Sequence, residues 1–178
     1  MLLVNLLLDM GYLFVYNLLD GSSIQRLLLE YIMKGHYRAL ERMYLQAPYN
    51  KELYDDTTIK ISHGEAIVTT RVQERHFHGA GAMHGSGYFR VLDDAAFFAV
   101  NSLFDDYMVL TVSFELRLMR PVSGGIIKSV GRFIRQESSK LYIAEATVYD
   151  EAGRVIASGT GKFIKSQRPV NSIPGYLS

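Results

Sequence analysis

The chain has 178 residues, of which 48% are hydrophobic and 21% are charged, and it contains no cysteine. This length and composition suit one soluble globular domain with a sizeable core, and the lack of cysteine excludes disulfides, thiol nucleophiles and cysteine metal sites. The formal net charge of +1 gives no bulk electrostatic case for binding nucleic acid or an anionic membrane. We expect a cytoplasmic protein, since a chain without disulfides is compatible with a reducing compartment.

Residues 1–19 form an apolar run that raises the question of a membrane segment. No Lys or Arg precedes the run and no small-residue cleavage site is visible, although a signal peptide would need both. Three interpretations stay open: an added helix that packs on the domain or on a partner subunit, translation from a start codon upstream of a natural start such as Met33, and a membrane anchor. We favour the added helix and divide the chain into a helical extension at residues 1–50, a main domain at 51–167 and an irregular tail at 168–178.

Two helices and two strands are predicted in the first part of the chain. Residues 24–32 and 34–46 read as helices, and Pro48 is predicted to end the second one. Thr, Ile and Val are frequent on both sides of His63 and Gly64, a pattern that predicts two strands, at residues 57–62 and 65–73, joined by a tight turn.

A glycine-rich loop, residues 79–87, and an apolar run of helical length, residues 88–104, separate those strands from four more. The four later strands are predicted at residues 109–119, 125–136, 141–149 and 154–166. A helix that is apolar nearly all round must be buried nearly all round. This order of elements predicts an α+β protein of the hotdog type, with a long central helix wrapped by a curved antiparallel sheet and with extra N-terminal helices.

Two adjacent aspartates in the predicted central helix differ in their surroundings. On a helical wheel Asp93 falls on the apolar face with Phe89 and Phe97, whereas Asp94 falls beside Arg90, four residues before it. We interpret Arg90 and Asp94 as a surface ion pair. Burying an unpaired carboxylate is costly and raises its pKa, so Asp93 is predicted to be functional, with a helix-capping or turn contact as the alternative.

The loop that opens the helix combines glycines with three histidines, His76, His78 and His84. Backbone N–H groups at a helix start have no internal partner, and a thioester carbonyl held at Gly85 would be polarised as in an oxyanion hole. The alternative for the histidines is simple hydrogen bonding to the backbone. No carboxylate or cysteine stands at a matching spacing, so we predict no metal site.

A specific resemblance rests on this loop and helix. The run His84-Gly85-Ser86, with Asp93 nine residues after His84, resembles the His-Gly-Gly start and catalytic Asp of the phenylacetate-pathway (PaaI-like) acyl-CoA thioesterases, and Arg120-Pro121 at the end of the following strand is also similar. The resemblance covers roughly residues 56–165. It implies hydrolysis of an acyl-CoA to a free acid and CoA without a cofactor. It also implies self-association as a dimer or a dimer of dimers, with each site built between two subunits.

The same resemblance implies roles for individual residues. Asp93 would be the general base or nucleophile and Gly85 would polarise the carbonyl, with His84 assisting. His78 stands where the family often has an Asn that holds the thioester, and Ser86 stands in place of the second glycine. Thr111 matches a Ser or Thr that places water in some relatives, although strict alternation along its strand puts Thr111 on the face opposite Leu110 and Val112.

Further residues are predicted to bind the substrate. Phosphates need cationic partners, so the CoA part is expected near four basic residues, the alternative being an ordinary solvated face; Phe97 is a candidate for the acyl pocket. The basic residues are Arg120, Lys128, Arg132 and Arg135.

Two other functions are weighed against hydrolysis. A hotdog dehydratase acting on hydroxyacyl thioesters would use His76 as its catalytic histidine, but its carboxylate would fall at Arg90, which stays charged. A non-catalytic acyl-CoA-binding module would tend to lack the helix carboxylate, and the presence of Asp93 argues against it.

Overall fold

A computed structural model of the protein describes residues 21–177. The predictions for residues 1–19 lie outside the described residues. The chain divides into two compact units, with the division between Gly35 and His36. None of the described helices is long and apolar enough to cross a membrane.

Two helices precede the sheet. Helix α1, Gly21–Gln46, is continuous across the two segments predicted as helical, and helix α2 is Pro48–Leu53. Pro48 therefore begins a helix as well as following the end of one. Proline suits the first position of a helix, where its missing N–H has no intrahelical partner to lose.

Six strands form one antiparallel sheet in the order β1-β2-β4-β5-β6-β3. Strands β1 and β2 are joined by a two-residue turn in which Gly64 adopts a φ of +72°, a conformation that glycine reaches without strain. The predicted strands all occur, with ends shifted by up to three residues. Their bounds are Thr58–Ser62 (β1), Glu65–Arg71 (β2), Tyr107–Leu118 (β3), Ile126–Gln136 (β4), Leu141–Tyr149 (β5) and Val155–Pro169 (β6).

Helix α3, Gly85–Asn101, packs against every strand of the sheet. The helix comes close to β4 at Gly131, where an added Cβ would lie 2.1 Å from the Ala95 carbonyl oxygen. Fully buried side chains such as Leu92 of α3, Ile127 of β4 and Phe163 of β6 fill the core between the layers. The predicted arrangement of a central helix covered by an antiparallel sheet is confirmed.

A β-bulge in β3 changes which side chains face the helix. Thr111 lies opposite Phe163 of β6 and Ser113 lies opposite Lys162, so Val112 is an extra residue in the ladder. A bulge of this kind reverses the facing of the residues beyond it. The predicted strict alternation along β3 is therefore wrong. Leu110 and Val112 are 54% and 56% exposed, so these two side chains lie on the face of the sheet that points away from α3.

Candidate active site

The start of α3 is capped by a histidine. His84 is the N-cap residue, and its Nδ1 accepts a hydrogen bond of 3.1 Å from the backbone N–H of Ser86. The Ser86 Oγ lies 2.8 Å from the same nitrogen. This cap begins the helix three residues before the predicted start. Among the described residues, none accepts a hydrogen bond from the Gly85 N–H, which is free for a ligand.

The loop before the helix folds back on itself around His78. The His78 N–H donates to the Ala82 carbonyl oxygen at 2.9 Å, and the Gly81 N–H donates to the His78 carbonyl oxygen at 3.0 Å. The His78 ring is held by the Ala80 N–H, which donates to Nδ1 at 3.1 Å. An asparagine side chain can accept the same type of bond from two residues on. The Asn that stands at this position in the family that the sequence resembles could therefore accept the same hydrogen bond from the residue two positions later.

Asp93 is half-buried on α3, and the structure places Thr111 beside it. The Thr111 Oγ1 donates to the Asp93 Oδ1 at 3.0 Å, a contact that the bulge in β3 makes possible. Burial raises the pKa of Asp93, and the hydrogen bond from Thr111 opposes this rise. Phe89 and Phe97 lie one turn before and after Asp93, and Phe89 meets Phe114 edge-on at 5.8 Å between ring centroids.

Arg90 is not on the surface, which corrects the interpretation of Arg90 and Asp94 as an exposed pair. Only 5% of Arg90 is exposed, and its Nη2 donates to the Tyr44 hydroxyl at 2.8 Å and to the Asn50 Oδ1 at 2.9 Å. Its guanidinium lies 3.7 Å from the centroid of the Tyr54 ring. Helices α1 and α2 supply these contacts, so this face of α3 is covered by elements that a wheel of α3 alone does not include.

Asp94 belongs to the same buried cluster. Its Oδ2 accepts from the Tyr44 hydroxyl at 2.7 Å and lies 3.5 Å from the Arg90 Nε. Burial raises the pKa of Asp94 to about 6, although Arg90 and the bond from Tyr44 act in the opposite direction. The cluster has the features of a structural network that joins α3 to the preceding helices.

The environment of His76 speaks against the dehydratase. His76 is buried, its Nδ1 accepts from the Gln73 N–H at 3.1 Å, and its Nε2 donates to the Leu53 carbonyl oxygen at 2.9 Å. Its ring stacks on Tyr54 with 4.5 Å between centroids. A catalytic histidine needs a ring nitrogen that can exchange a proton with substrate. Both nitrogens of His76 are already held by the backbone.

The four basic residues predicted to bind CoA are not all brought together. Arg120 donates to the Val155 carbonyl oxygen. Lys128 lies at the same end of the sheet, because it is opposite Tyr149 in the ladder and Tyr149 is opposite Val155. Arg135 lies seven residues along β4 from Lys128, about 23 Å away at the rise of an extended strand.

Two of the four basic residues already form ion pairs with acidic side chains. Arg132 pairs with Glu65 at 3.0 Å and Arg135 pairs with Glu137 at 3.2 Å. In the part of the chain that the structure describes, no group of three or more His, Cys, Asp or Glu residues is placed to hold a metal ion.

Comparison with known proteins gives a match to one family model over part of the chain and several solved structures of similar fold. Residues 80–157 match the family model of the thioesterase superfamily. The fold is similar to that of the E. coli PaaI protein from the phenylacetic acid degradation operon, with a TM-score of 0.67, 19% identity, and coverage of 76% of this chain and 96% of that one. No curated protein gave a significant match.

Two further solved structures show the same likeness. Thioesterase HI1161 from Haemophilus influenzae aligns with a TM-score of 0.63 at 12% identity, over 70% of this chain and 87% of that one. The conserved protein PA5202 from Pseudomonas aeruginosa aligns with a TM-score of 0.62 at 22% identity, over 70% and 98%. These likenesses confirm the hotdog fold. The family match over residues 80–157 is to the superfamily of thioesterases, in agreement with the resemblance that the sequence showed.

Proposed function

We propose that this chain, a hotdog domain that matches the thioesterase superfamily, hydrolyses an acyl-CoA thioester to a free acid and CoA. The superfamily match supports thioester hydrolysis in general. The observation that carries the proposal is the pair of Asp93 and Thr111, a half-buried carboxylate whose pKa is raised by burial and whose Oδ1 is held by a hydroxyl. A carboxylate whose pKa is raised accepts a proton more readily than an ordinary aspartate, which suits a general base.

In the proposed reaction Asp93 acts on water. No described residue donates a hydrogen bond to the Asp93 Oδ2, so this oxygen is available to a water molecule. Asp93 takes a proton as the water oxygen bonds to the thioester carbon, the carbon–sulfur bond breaks, and the CoA thiolate regains a proton. Direct attack by Asp93, giving an anhydride that water then opens, yields the same products.

The start of α3 supplies the groups that stabilise the negative charge on the carbonyl oxygen. The free N–H of Gly85 is the main proposed donor, with His84 and His78 assisting. A donor fixed at a helix start does not reorganise as charge develops, and the loss of one such donor typically lowers the rate by about a hundred- to thousandfold. An added Cβ at Gly85 would meet only the Leu118 Cδ1 at 3.6 Å, so the backbone here is open to an approaching acyl group.

The spacing of these groups supports a site shared by two subunits. Gly85 and Asp93 are eight residues apart on one helix, a separation of about 12 Å along its axis. A donor that polarises the carbonyl oxygen lies roughly 3 Å from it, and a carboxylate that acts through one water lies within about 6 Å of the carbonyl carbon, so the two groups must be close together. We therefore propose that each site combines Gly85 of one subunit with Asp93 of another.

The remaining substrate contacts are proposed from position and charge. Arg120 and Lys128, at one end of the sheet, would hold the phosphates of CoA. Arg132 and Arg135 lie farther along β4 and pair with Glu65 and Glu137, so this proposal leaves them outside the phosphate site. Phe97, which lies one turn beyond Asp93, would line the acyl pocket.

The proposed function is tested by a hydrolysis screen across short, medium, long and aryl acyl-CoAs, with thiol release as the readout. We expect Asp93→Asn to lower turnover on the preferred substrate by a factor on the order of a hundred to ten thousand, with an unchanged circular dichroism spectrum. The adjacent Asp94→Asn is the matched control and should keep most of the turnover at 20 °C. Binding of acyl-CoA without any thiol release would instead identify a non-catalytic binding module.

A further inference from the structure

A cavity of about 480 Å³ lies between α3 and the helices that precede the sheet. The last turns of α1, helix α2, the start of β3 and the segment after β6 contribute the rest of its lining. Cavities of this size commonly hold small molecules in proteins. Neither Gly85 nor Asp93 lines it, so this cavity is separate from the proposed catalytic site.

The lining of the cavity is mostly apolar. Helix α3 contributes Phe98 and, one turn before it, the acidic Asp94. Methionine side chains are flexible and polarisable, so the two that line this cavity can adapt to occupants of different shape. Apolar side chains from the other elements include Met43, Met108 and Ile173.

Only one oxygen of Asp94 has a partner among the described residues. Its Oδ2 accepts from the Tyr44 hydroxyl at 2.7 Å and lies 3.5 Å from the Arg90 Nε, whereas no described residue donates a hydrogen bond to its Oδ1. The Asp94 side chain is 24% exposed and lines the cavity. A largely covered carboxylate oxygen needs a donor, so Oδ1 is the atom left to accept one from an occupant.

The charges around Asp94 decide which kind of ligand suits the cavity. The Arg90 guanidinium already balances the Asp94 carboxylate, and the exposed Lys51 is the other charged residue of the lining. A ligand carboxylate has no hydrogen to donate to Asp94, and a ligand cation would approach the two positive side chains as well. An uncharged O–H or N–H donates to the carboxylate without either disadvantage, and a hydrogen bond to an ionised acceptor is a strong one.

We propose that this cavity is a second binding site, which takes an uncharged, mostly apolar molecule that donates one O–H or N–H to the Asp94 Oδ1. The apolar lining stabilises the body of the ligand by removing it from water, and Asp94 fixes the orientation of its polar end. This site is independent of the proposed hydrolysis, because it uses the opposite neighbour of the Asp93–Asp94 pair and none of the proposed catalytic groups.

Two methionines of the lining allow the site to be tested by NMR of protein labelled with methyl-¹³C-methionine, with n-hexanol as the probe. Met43→Leu and Met108→Leu identify the two signals by their loss. We expect both signals to shift saturably as n-hexanol is added. Met119, which is 46% exposed and lies outside the lining, is the internal control and should shift little.

A matched pair of ligands tests the hydrogen bond to Asp94. Methyl pentyl ether is an isomer of n-hexanol without a donor, and we expect its Kd to be about threefold to tenfold higher, the size of one net hydrogen bond. Asp94→Asn replaces a charged acceptor by a neutral one and should reduce this ratio, whereas Asp93→Asn should leave it unchanged. Hexanoate, which has no donor at neutral pH, should bind more weakly than n-hexanol.

Three results would overturn the second site. The first is the absence of a saturable shift at Met43 and Met108, including the case in which only Met119 responds. The second is an ether that binds the parent protein as tightly as n-hexanol, and the third is hexanoate that binds more tightly than n-hexanol. The comparison of ligands uses the parent protein, so it does not depend on the folding of any variant. It also measures binding alone, so its failure would leave the proposed hydrolysis standing.

Discussion

The contact between Asp93 and Thr111 sets the ionisation of the proposed base by two opposing effects. Burial raises the pKa of Asp93, and the hydrogen bond from the Thr111 hydroxyl lowers it because the bond stabilises the charged form. We predict that Thr111→Val, which removes the donor at nearly constant size, raises the pKa of Asp93 further. A general base works deprotonated, so the acidic limb of the profile of kcat/KM against pH should move to higher pH.

Thr111→Ser keeps a hydroxyl and is the control for this prediction. Its acidic limb should stay close to that of the parent. A limb that stays in place in Thr111→Val, or moves to lower pH, would show that Thr111 does not tune this carboxylate.

At the scale of single residues, sequence reasoning singled out Asp93 but misplaced Thr111. Asp93 could be found because a carboxylate on an apolar helical face, at a fixed distance from His84, is visible in one stretch of chain. The facing of Thr111 depends on a bulge that is defined by pairing with β6, some fifty residues later. Nothing within β3 itself, such as a glycine, marks the extra residue at Val112.

At the scale of elements, the polar face of α3 joins the central helix to α1 and α2. We predict that Asp94→Asn lowers stability by about 2–3 kcal/mol, because it leaves the buried Arg90 guanidinium without its charged partner. For a domain of this size the melting temperature should fall by roughly 5–10 °C. The measurement is thermal unfolding followed by circular dichroism.

Glu115→Gln provides the matched control for that measurement. Glu115 faces Arg117 at 3.8 Å with both side chains about four-fifths exposed, and exposed pairs contribute little. Equal melting temperatures for Asp94→Asn and Glu115→Gln would mean that the buried pair does not stabilise the contact between helices. The wheel could not foresee this network because Tyr44 and Asn50 lie 40 or more residues from Arg90 in sequence.

At the scale of the whole molecule, the sheet and the site both point to self-association. Strand β3 is at the edge of the sheet and exposes Leu110 and Val112, and open apolar edges are usually paired or covered. The separation of Gly85 from Asp93 along α3 favours a proposed site that a second copy of the chain completes. The sequence predicted an oligomer only through its resemblance to a family, whereas the helix geometry gives an independent physical reason.

The shared site predicts that two inactive variants restore each other. Gly85→Val blocks the oxyanion position and Asp93→Asn removes the base, so each variant alone should be nearly inactive. A heterodimer of the two, co-expressed with different tags and purified through both, has one site with Gly85 and Asp93 intact and one with neither. We expect about half of the parent turnover per dimer, as the two-fold symmetry of the interface requires. If each site lies within one chain, the heterodimer stays inactive, and a stable, active monomer in light scattering at micromolar concentration would contradict the shared site in the same way.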